Sequence, residues 1–173
     1  ARVVLLRDLG ASLSPANAFQ LIQGLETLPL RFREHQANAA KVTSFLEDHD
    51  AVSRVIYPSL FGGAEKALAD KYLAKGHGAL VGLELIGGID AGRAFIDALK
   101  LIYHVANIGD ARSLAIHPAS TTHSQLSAAD QLAAGVTPGY VRLSVGIEHS
   151  DDIIADISQA LDTASAISLK TVA

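Results

Sequence analysis

Cysteine, methionine and tryptophan are all absent from this 173-residue sequence, and aromatic residues make up only 5% of it. Without cysteine there is no disulfide framework, no thiolate metal site and no cysteine nucleophile, and the redox compartment is left open. Few aromatics and a net charge of −4 with both signs interspersed provide no basic, stacking-rich face for a phosphate backbone, so nucleic acid is not an expected partner. No apolar run approaches the roughly 20 residues of a membrane helix, and the start lacks the charged-then-apolar order of a signal peptide. A soluble protein without a membrane partner, cytoplasmic by default, is the expectation. The lack of methionine, together with the apolar opening Ala1-Arg2-Val3-Val4-Leu5-Leu6, points to residues upstream of Ala1, although methionine removal after synthesis would also leave Ala1 first.

What is present is a chain with 49% of its residues in the hydrophobic set, enough for one core and an additional arm. Ser14-Pro15 is a strong helix start, because the serine oxygen can cap free N–H groups and proline is tolerated in a first turn. Phe19, Ile22, Leu25 and Leu28 follow at helical spacing, and Pro29 predicts a break or kink. A second helix with Ala37, Val42, Phe45 and Leu46 on its apolar face should end in the polar run Glu47-Asp48-His49-Asp50. Val52 to Tyr57 reads as a strand stopped by Pro58, and 64–74 as a helix with Ala67, Leu68 and Tyr72 inward. Ala79 to Ile86, whose one charge is Glu84, reads as a buried strand ended by Gly87-Gly88. Asp90 is then expected to cap a helix with Ala94, Phe95, Ala98 and Leu99 inside. Short strands are predicted at 101–105, 113–116 and 140–145. The last helix has Ser150 as N-cap, Asp151 and Asp152 where the helix dipole favours negative charge, and Ile153, Ile154, Ile157 and Leu161 on one face. Strands alternating with helices over 50–168 predict one α/β layer structure.

Residues 107–126 carry many hydrogen-bonding side chains with little periodicity, either a site-lining loop or a surface loop held by turns at Gly109 and Pro118. His117 and His123 form the one close histidine pair, but Pro118 prevents the helix that would align them, and no metal is expected. Histidines 35, 49, 77, 104 and 149 carry no motif. Ser144 lacks the glycine two residues earlier that a hydrolase elbow needs, since Arg142 stands there. Gly76-x-Gly78 and Gly87-Gly88 lack the third glycine of a dinucleotide fingerprint and read as turns.

Taken in order, Arg7-Asp8-Leu9-Gly10, Leu13-Ser14-Pro15, Gly24-Leu25-Glu26-Thr27-Leu28, the 107–126 segment, Gly135-Val136-Thr137-Pro138 and Val141-Arg142-Leu143-Ser144-Val145-Gly146-Ile147-Glu148 resemble the Cys/Met-metabolism family of PLP enzymes, from about Arg7 to Leu161. Within it the resemblance is to the O-acetylhomoserine sulfhydrylases. It implies the carboxy-terminal small α/β domain of a fold-type I PLP-dependent transferase, with a small, mostly antiparallel sheet and helices on one side. Residues 1–13 would end a large PLP-binding domain lying upstream, 14–49 would be a helical connector and 50–173 the carboxy-terminal domain, within a dimer-based homotetramer.

The resemblance also implies site roles. Arg142 would bind the α-carboxylate of a small amino-acid substrate, a task its fork of donors suits, rather than form an ordinary salt bridge. Asn107, unless it is only a turn residue, would assist. Arg112 stands where cystathionine-handling relatives carry an acidic group, and a cation there, unless it is only a solvated arginine at the loop edge, favours a small co-substrate such as sulfide. Ser120, Thr121, Thr122 and His123 would shape the pocket wall. The cofactor, pyridoxal 5'-phosphate, needs a lysine amine to condense with its aldehyde. Lys41, Lys66, Lys71, Lys75, Lys100 and Lys170 lack the Ser/Thr-rich run that precedes it in the family, so the cofactor would be held mainly by the missing amino-terminal part. The intact protein would convert O-acetyl-L-homoserine and sulfide to homocysteine and acetate, a step of methionine biosynthesis, and the chain alone would be inactive. A methionine γ-lyase, a cystathionine γ-synthase and a non-enzymatic α/β interaction module are the competing readings.

Overall fold

In the computed structural model, residues 2–10 and 12–171 are described. A π-helical turn (Arg2–Leu6) and α1 (Arg7–Leu9) lead to α2 (Pro15–Glu26). The Ser14 hydroxyl accepts the Asn17 N–H at 3.2 Å, as the Ser-Pro start predicts. The chain breaks at Thr27, and α3 (Leu28–Glu47) begins at once with Pro29 in its first turn, where a missing N–H costs nothing. The Arg31 guanidinium donates to the Thr27 hydroxyl and the Gly24 carbonyl, fastening the two helices across the break.

α2 buries no residue; Phe19, Leu21, Ile22 and Leu25 are all more than half exposed. α3 buries His35, Asn38, Ala39, Val42, Thr43 and Leu46. The predicted inner position Ala37 is exposed, because the buried stripe passes instead through His35 and Asn38. His35 Nδ1 donates to the Val145 carbonyl at 2.6 Å, and the Asn38 amide donates to the carbonyls of Gly146 and Glu148 at 3.1 and 2.8 Å. These bonds satisfy polar groups at the end of a central strand, which is why polar side chains sit in a helix face otherwise apolar.

β1 (Val52–Ile56), α4 (Gly63–Tyr72), β2 (Leu80–Leu85), α5 (Gly88–Ala98), β3 (Tyr103–His104), β4 (Leu114–Ile116), α6 (Ala128–Ala133), β5 (Tyr140–Ser144) and α7 (Ser150–Thr171) complete the chain. The sheet order is β1-β2-β5-β4-β3, antiparallel except for the β3–β4 pair. One sheet face, with Val81, Leu83, Ala115, Val141 and Leu143, meets α3, α5 and α7 through Val42, Leu46, Phe95, Ile153, Ile157 and Leu161. This single core explains the helices on one side. Strand alternation turns Gly82, Glu84, Tyr140, Arg142 and Ser144 to the opposite face.

Three local expectations are corrected. α4 forms, but Ala69 is its one buried residue; Leu68 and Tyr72 are 57% and 69% exposed, since the helix leans on the turn Pro58–Leu60 rather than on the sheet. α5 starts after Gly87 and not at Asp90, because Gly87 and Gly88, at φ 104° and 65°, make the turn before it, and its buried stripe is Ala91, Gly92, Phe95 and Ile96. At α7, His149 Nδ1 rather than Ser150 accepts the Asp151 N–H at 3.3 Å, because the Ser150 hydroxyl is turned to Lys41 Nζ at 2.9 Å. Among the described residues, no helix is long and apolar enough to cross a membrane.

Candidate functional site

Arg142 lies mid-strand on β5, paired with Gly82 of β2 on one side and Ile116 of β4 on the other. Ile56 of β1 continues the same row beyond Gly82. Over this row opens a cavity of about 440 Å³, walled by Ile56, Ala106, Ile116, Pro118, Thr122, His123, Ala134, Gly135, Val136, Tyr140 and Arg142. An Arg142 terminal nitrogen donates to the Asn107 backbone carbonyl at 3.5 Å, the long end of a hydrogen bond. Its Nε is buried without a partner among the described residues. A cationic donor buried without a partner is costly, and the side chain that carries it lines this cavity.

A larger concavity of about 530 Å³ lies elsewhere, between the end of α3 and α7. Asp48, Asp50 and Asp162 line it, a charge that repels a carboxylate. The cavity lined by Arg142, whose buried Nε lacks a partner, is the candidate site.

Between the start of β4 and the end of β5, the Glu148 carboxylate accepts the Ser113 N–H at 2.6 Å and the Ser113 hydroxyl at 2.9 Å. Ser113 Oγ in turn accepts the Gly146 N–H at 2.8 Å. A Cβ at Gly146 would fall 2.2 Å from a Glu148 oxygen and 2.4 Å from the Ser113 nitrogen, so only glycine permits this approach. The Asp110 side chain accepts the Arg112 N–H at 3.0 Å, and the Arg112 guanidinium lies 4.9 Å over the Tyr103 ring.

His117 is fully buried, with Nε2 2.7 Å from the Pro138 carbonyl and Nδ1 2.8 Å from the Ser120 hydroxyl. A carbonyl can only accept, so Nε2 carries the proton and Nδ1 accepts from Ser120, which is the neutral imidazole. Burial pushes its pKa below the usual value of 6.5, opposed by the Pro138 bond and aided by the nearby Arg93 charge. The Thr121 hydroxyl donates to the His117 carbonyl at 2.8 Å, and Thr122 Oγ1 lies 2.9 Å from His123 Nδ1. The Gln131 amide on α6 donates to the Ala119 and His123 carbonyls at 3.1 and 2.8 Å, clamping the turn against the cavity.

Of the residues singled out in the sequence, Arg142, Thr122 and His123 meet at the cavity. Asn107 touches Arg142 through its backbone and not its amide. Ser120 and Thr121 turn to His117 and Arg112 is stacked on Tyr103, and these three are not among the residues lining this cavity. Two features at or beside the wall are not predicted from the sequence. Tyr140 was read only as a strand start, although its two-residue spacing from Arg142 puts both on one face. α6 is too short for periodicity to mark, yet Ser127 caps it by accepting the Asp130 N–H at 3.2 Å, a Ser-x-x-Asp signal visible in sequence.

Among the described residues, no lysine lines the cavity. Lys41 bonds Ser150, Lys66 pairs with Asp70 and Lys71 lies over Tyr72; the side chain of Lys170 lies outside the described residues. The cavity residues therefore fit a substrate carboxylate and do not fit the aldehyde-holding role that pyridoxal phosphate requires. Among the described residues, no cluster of three His, Asp or Glu could hold a metal.

A family model described as Cys/Met metabolism PLP-dependent enzyme matches residues 2–162. The O-acetyl-L-homoserine sulfhydrylase of Leptospira meyeri is 55% identical over 162 residues, 93% of this chain and 37% of the relative. The L-methionine gamma-lyase of Fusobacterium nucleatum subsp. polymorphum is 42% identical over 162 residues, 93% of this chain and 41% of the relative. A Campylobacter jejuni crystal structure assigned as an O-acetylhomoserine (thiol)-lyase, containing N'-pyridoxyl-lysine-5'-monophosphate, superimposes with a TM-score of 0.82 at 46% identity, over 92% of this chain and 38% of that one. The chain thus spans about two fifths of the length of the relatives it matches.

Proposed function

Since the chain belongs to the Cys/Met metabolism family of PLP-dependent enzymes, we propose that it is the carboxy-terminal part of an O-acetylhomoserine sulfhydrylase and carries the substrate-carboxylate half of the active site. The buried, unpartnered Nε of Arg142 above the cavity is the observation that carries this reading. A guanidinium so placed holds an amino-acid carboxylate through two N–H donors, and the Asn107 carbonyl steadies its outer nitrogen. Thr122 and His123 close the wall beside it, while Ser120, Thr121 and Gln131 hold the turn that presents them. Such a clamp fixes the reacting carbons of the substrate relative to groups supplied from outside this chain.

The reaction of the full-length protein would be conversion of O-acetyl-L-homoserine and sulfide to homocysteine and acetate, with pyridoxal phosphate bound mainly by residues upstream. Residues 1–13, 14–49 and 50–173 would be the end of that upstream domain, a connector and the carboxy-terminal domain. The isolated chain would be inactive. The exposed apolar side of α2 supports a covering domain or a second subunit, as in a homo-oligomer. Higher identity to the sulfhydrylase than to the lyase, 55% against 42%, favours sulfide addition over methionine cleavage. Assaying the full-length protein with O-acetyl-L-homoserine plus sulfide, and separately with L-methionine alone, tests this. Homocysteine formation from the first pair is expected; turnover of methionine without it would make the protein a lyase.

A further inference from the structure

Tyr140 shares the cavity wall with Arg142, two residues earlier on the same strand and hence on the same sheet face. Its cross-strand partner is Glu84, whose carboxylate is already engaged by the Thr137 hydroxyl and, at 3.2 Å, the Gly139 N–H. The tyrosine ring lies against Gly82. A Cβ on Gly82 would lie 2.9 Å from Tyr140 Cε2 and 3.2 Å from its hydroxyl oxygen. Gly82 stands directly opposite Arg142, and residues so paired have Cβ positions about 5 Å apart. The phenol therefore fills the space that Gly82 leaves, beside the Arg142 side chain.

The hydroxyl makes no hydrogen bond among the described residues, and the residue is half-buried in the cavity wall. Burial, opposed by the Arg142 charge, raises its pKa above the usual phenol value, so at neutral pH it is a donor and not an anion. Arg142, with its unpartnered Nε, and Tyr140, with its unbonded hydroxyl, thus line the same cavity.

We propose that Tyr140 is a second carboxylate-binding residue, its hydroxyl donating to the same substrate carboxylate that Arg142 takes. A carboxylate has about four acceptor positions, so a guanidinium fork leaves room for a further donor. This rests on the reading of Arg142 given above. The uncharged donor adds selectivity for an oxygen acceptor: a carboxamide, presenting an NH2 in place of one oxygen, meets the phenol and guanidinium less well.

The test is calorimetric binding of L-homoserine and of L-homoserine amide to the full-length protein, as wild type, Tyr140→Phe and Arg142→Gln. Phenylalanine keeps the ring over Gly82, and thermal melting checks that each variant is folded. Tyr140→Phe is expected to weaken homoserine binding about 10-fold or more and to leave the amide within about twofold. Unchanged homoserine affinity in Tyr140→Phe, or equal losses for both ligands, would overturn the assignment. Arg142→Gln separates the two levels. If it loses homoserine while Tyr140→Phe does not, only the tyrosine assignment falls; if it keeps homoserine, the carboxylate site itself falls and the tyrosine with it.

Discussion

Arg142 on β5 faces Gly82 on β2 across an antiparallel pair, and the missing side chain at 82 is what admits the Tyr140 ring beside the guanidinium. A side chain there would collide with the ring and, at 3.2 Å, with the Ile56 Cβ. Replacing a strand glycine recovers about 0.5–1 kcal/mol of backbone entropy, but overpacking costs about 1–3 kcal/mol, so the second effect wins. Gly82→Val is expected to lower the urea midpoint and to weaken homoserine binding by the full-length protein. A raised midpoint with unchanged binding would show that the space is unused.

His117 makes stability pH-dependent in a definite direction. Its folded pKa lies below 6.5, so between the two values the unfolded chain binds more protons and acid favours unfolding. The contribution is complete above about pH 6.5 and is lost as pH falls toward the folded value. His117→Gln, which can still donate to Pro138 and accept from Ser120, removes this titration. Urea midpoints at about pH 7.5 and 5.5 should therefore fall more steeply for the wild type than for the variant; parallel slopes would assign the acid sensitivity to other groups.

The arm should make the 173-residue chain sticky. Phe19, Ile22, Leu25, Leu30 and Phe32 are 62%, 54%, 63%, 58% and 47% exposed, a patch that water tolerates poorly. Sedimentation of the chain is expected to show concentration-dependent association, relieved in Ile22→Lys/Leu25→Lys without loss of melting temperature, since neither residue is part of the core. A wild-type chain that stays monomeric would refute this.

Much of the fold is readable in the residues, and the failures share a cause. β5 and α7 are marked by dense apolar spacing whose partners lie within the chain. α4 carries the same spacing, yet Leu68 and Tyr72 stay mostly exposed; periodicity records that a face is apolar, not what covers it. The site divides the same way. Arg142 stands out in sequence because a charge within an apolar strand needs a reason. Ser120 and Thr121 look like pocket donors, but their hydroxyls serve His117 three and four residues back, a local closure that composition does not distinguish from a cavity wall. Arg112 meets Tyr103 because β3 and β4 run parallel, and that pairing is invisible before the topology is known.

No lysine among the described residues lines the cavity, so the 173-residue chain mixed with pyridoxal phosphate should show no absorbance band that survives gel filtration. A stable band would mean that this chain holds the cofactor by itself.

The most direct measurement is kcat/KM for O-acetyl-L-homoserine in the full-length protein, wild type against Arg142→Gln, with cofactor loading checked by absorbance. Loss of a charge-assisted contact of about 1.5–3 kcal/mol should lower it about 10- to 150-fold at unchanged loading. A value within about twofold of the wild type would contradict the placement of the substrate carboxylate at Arg142.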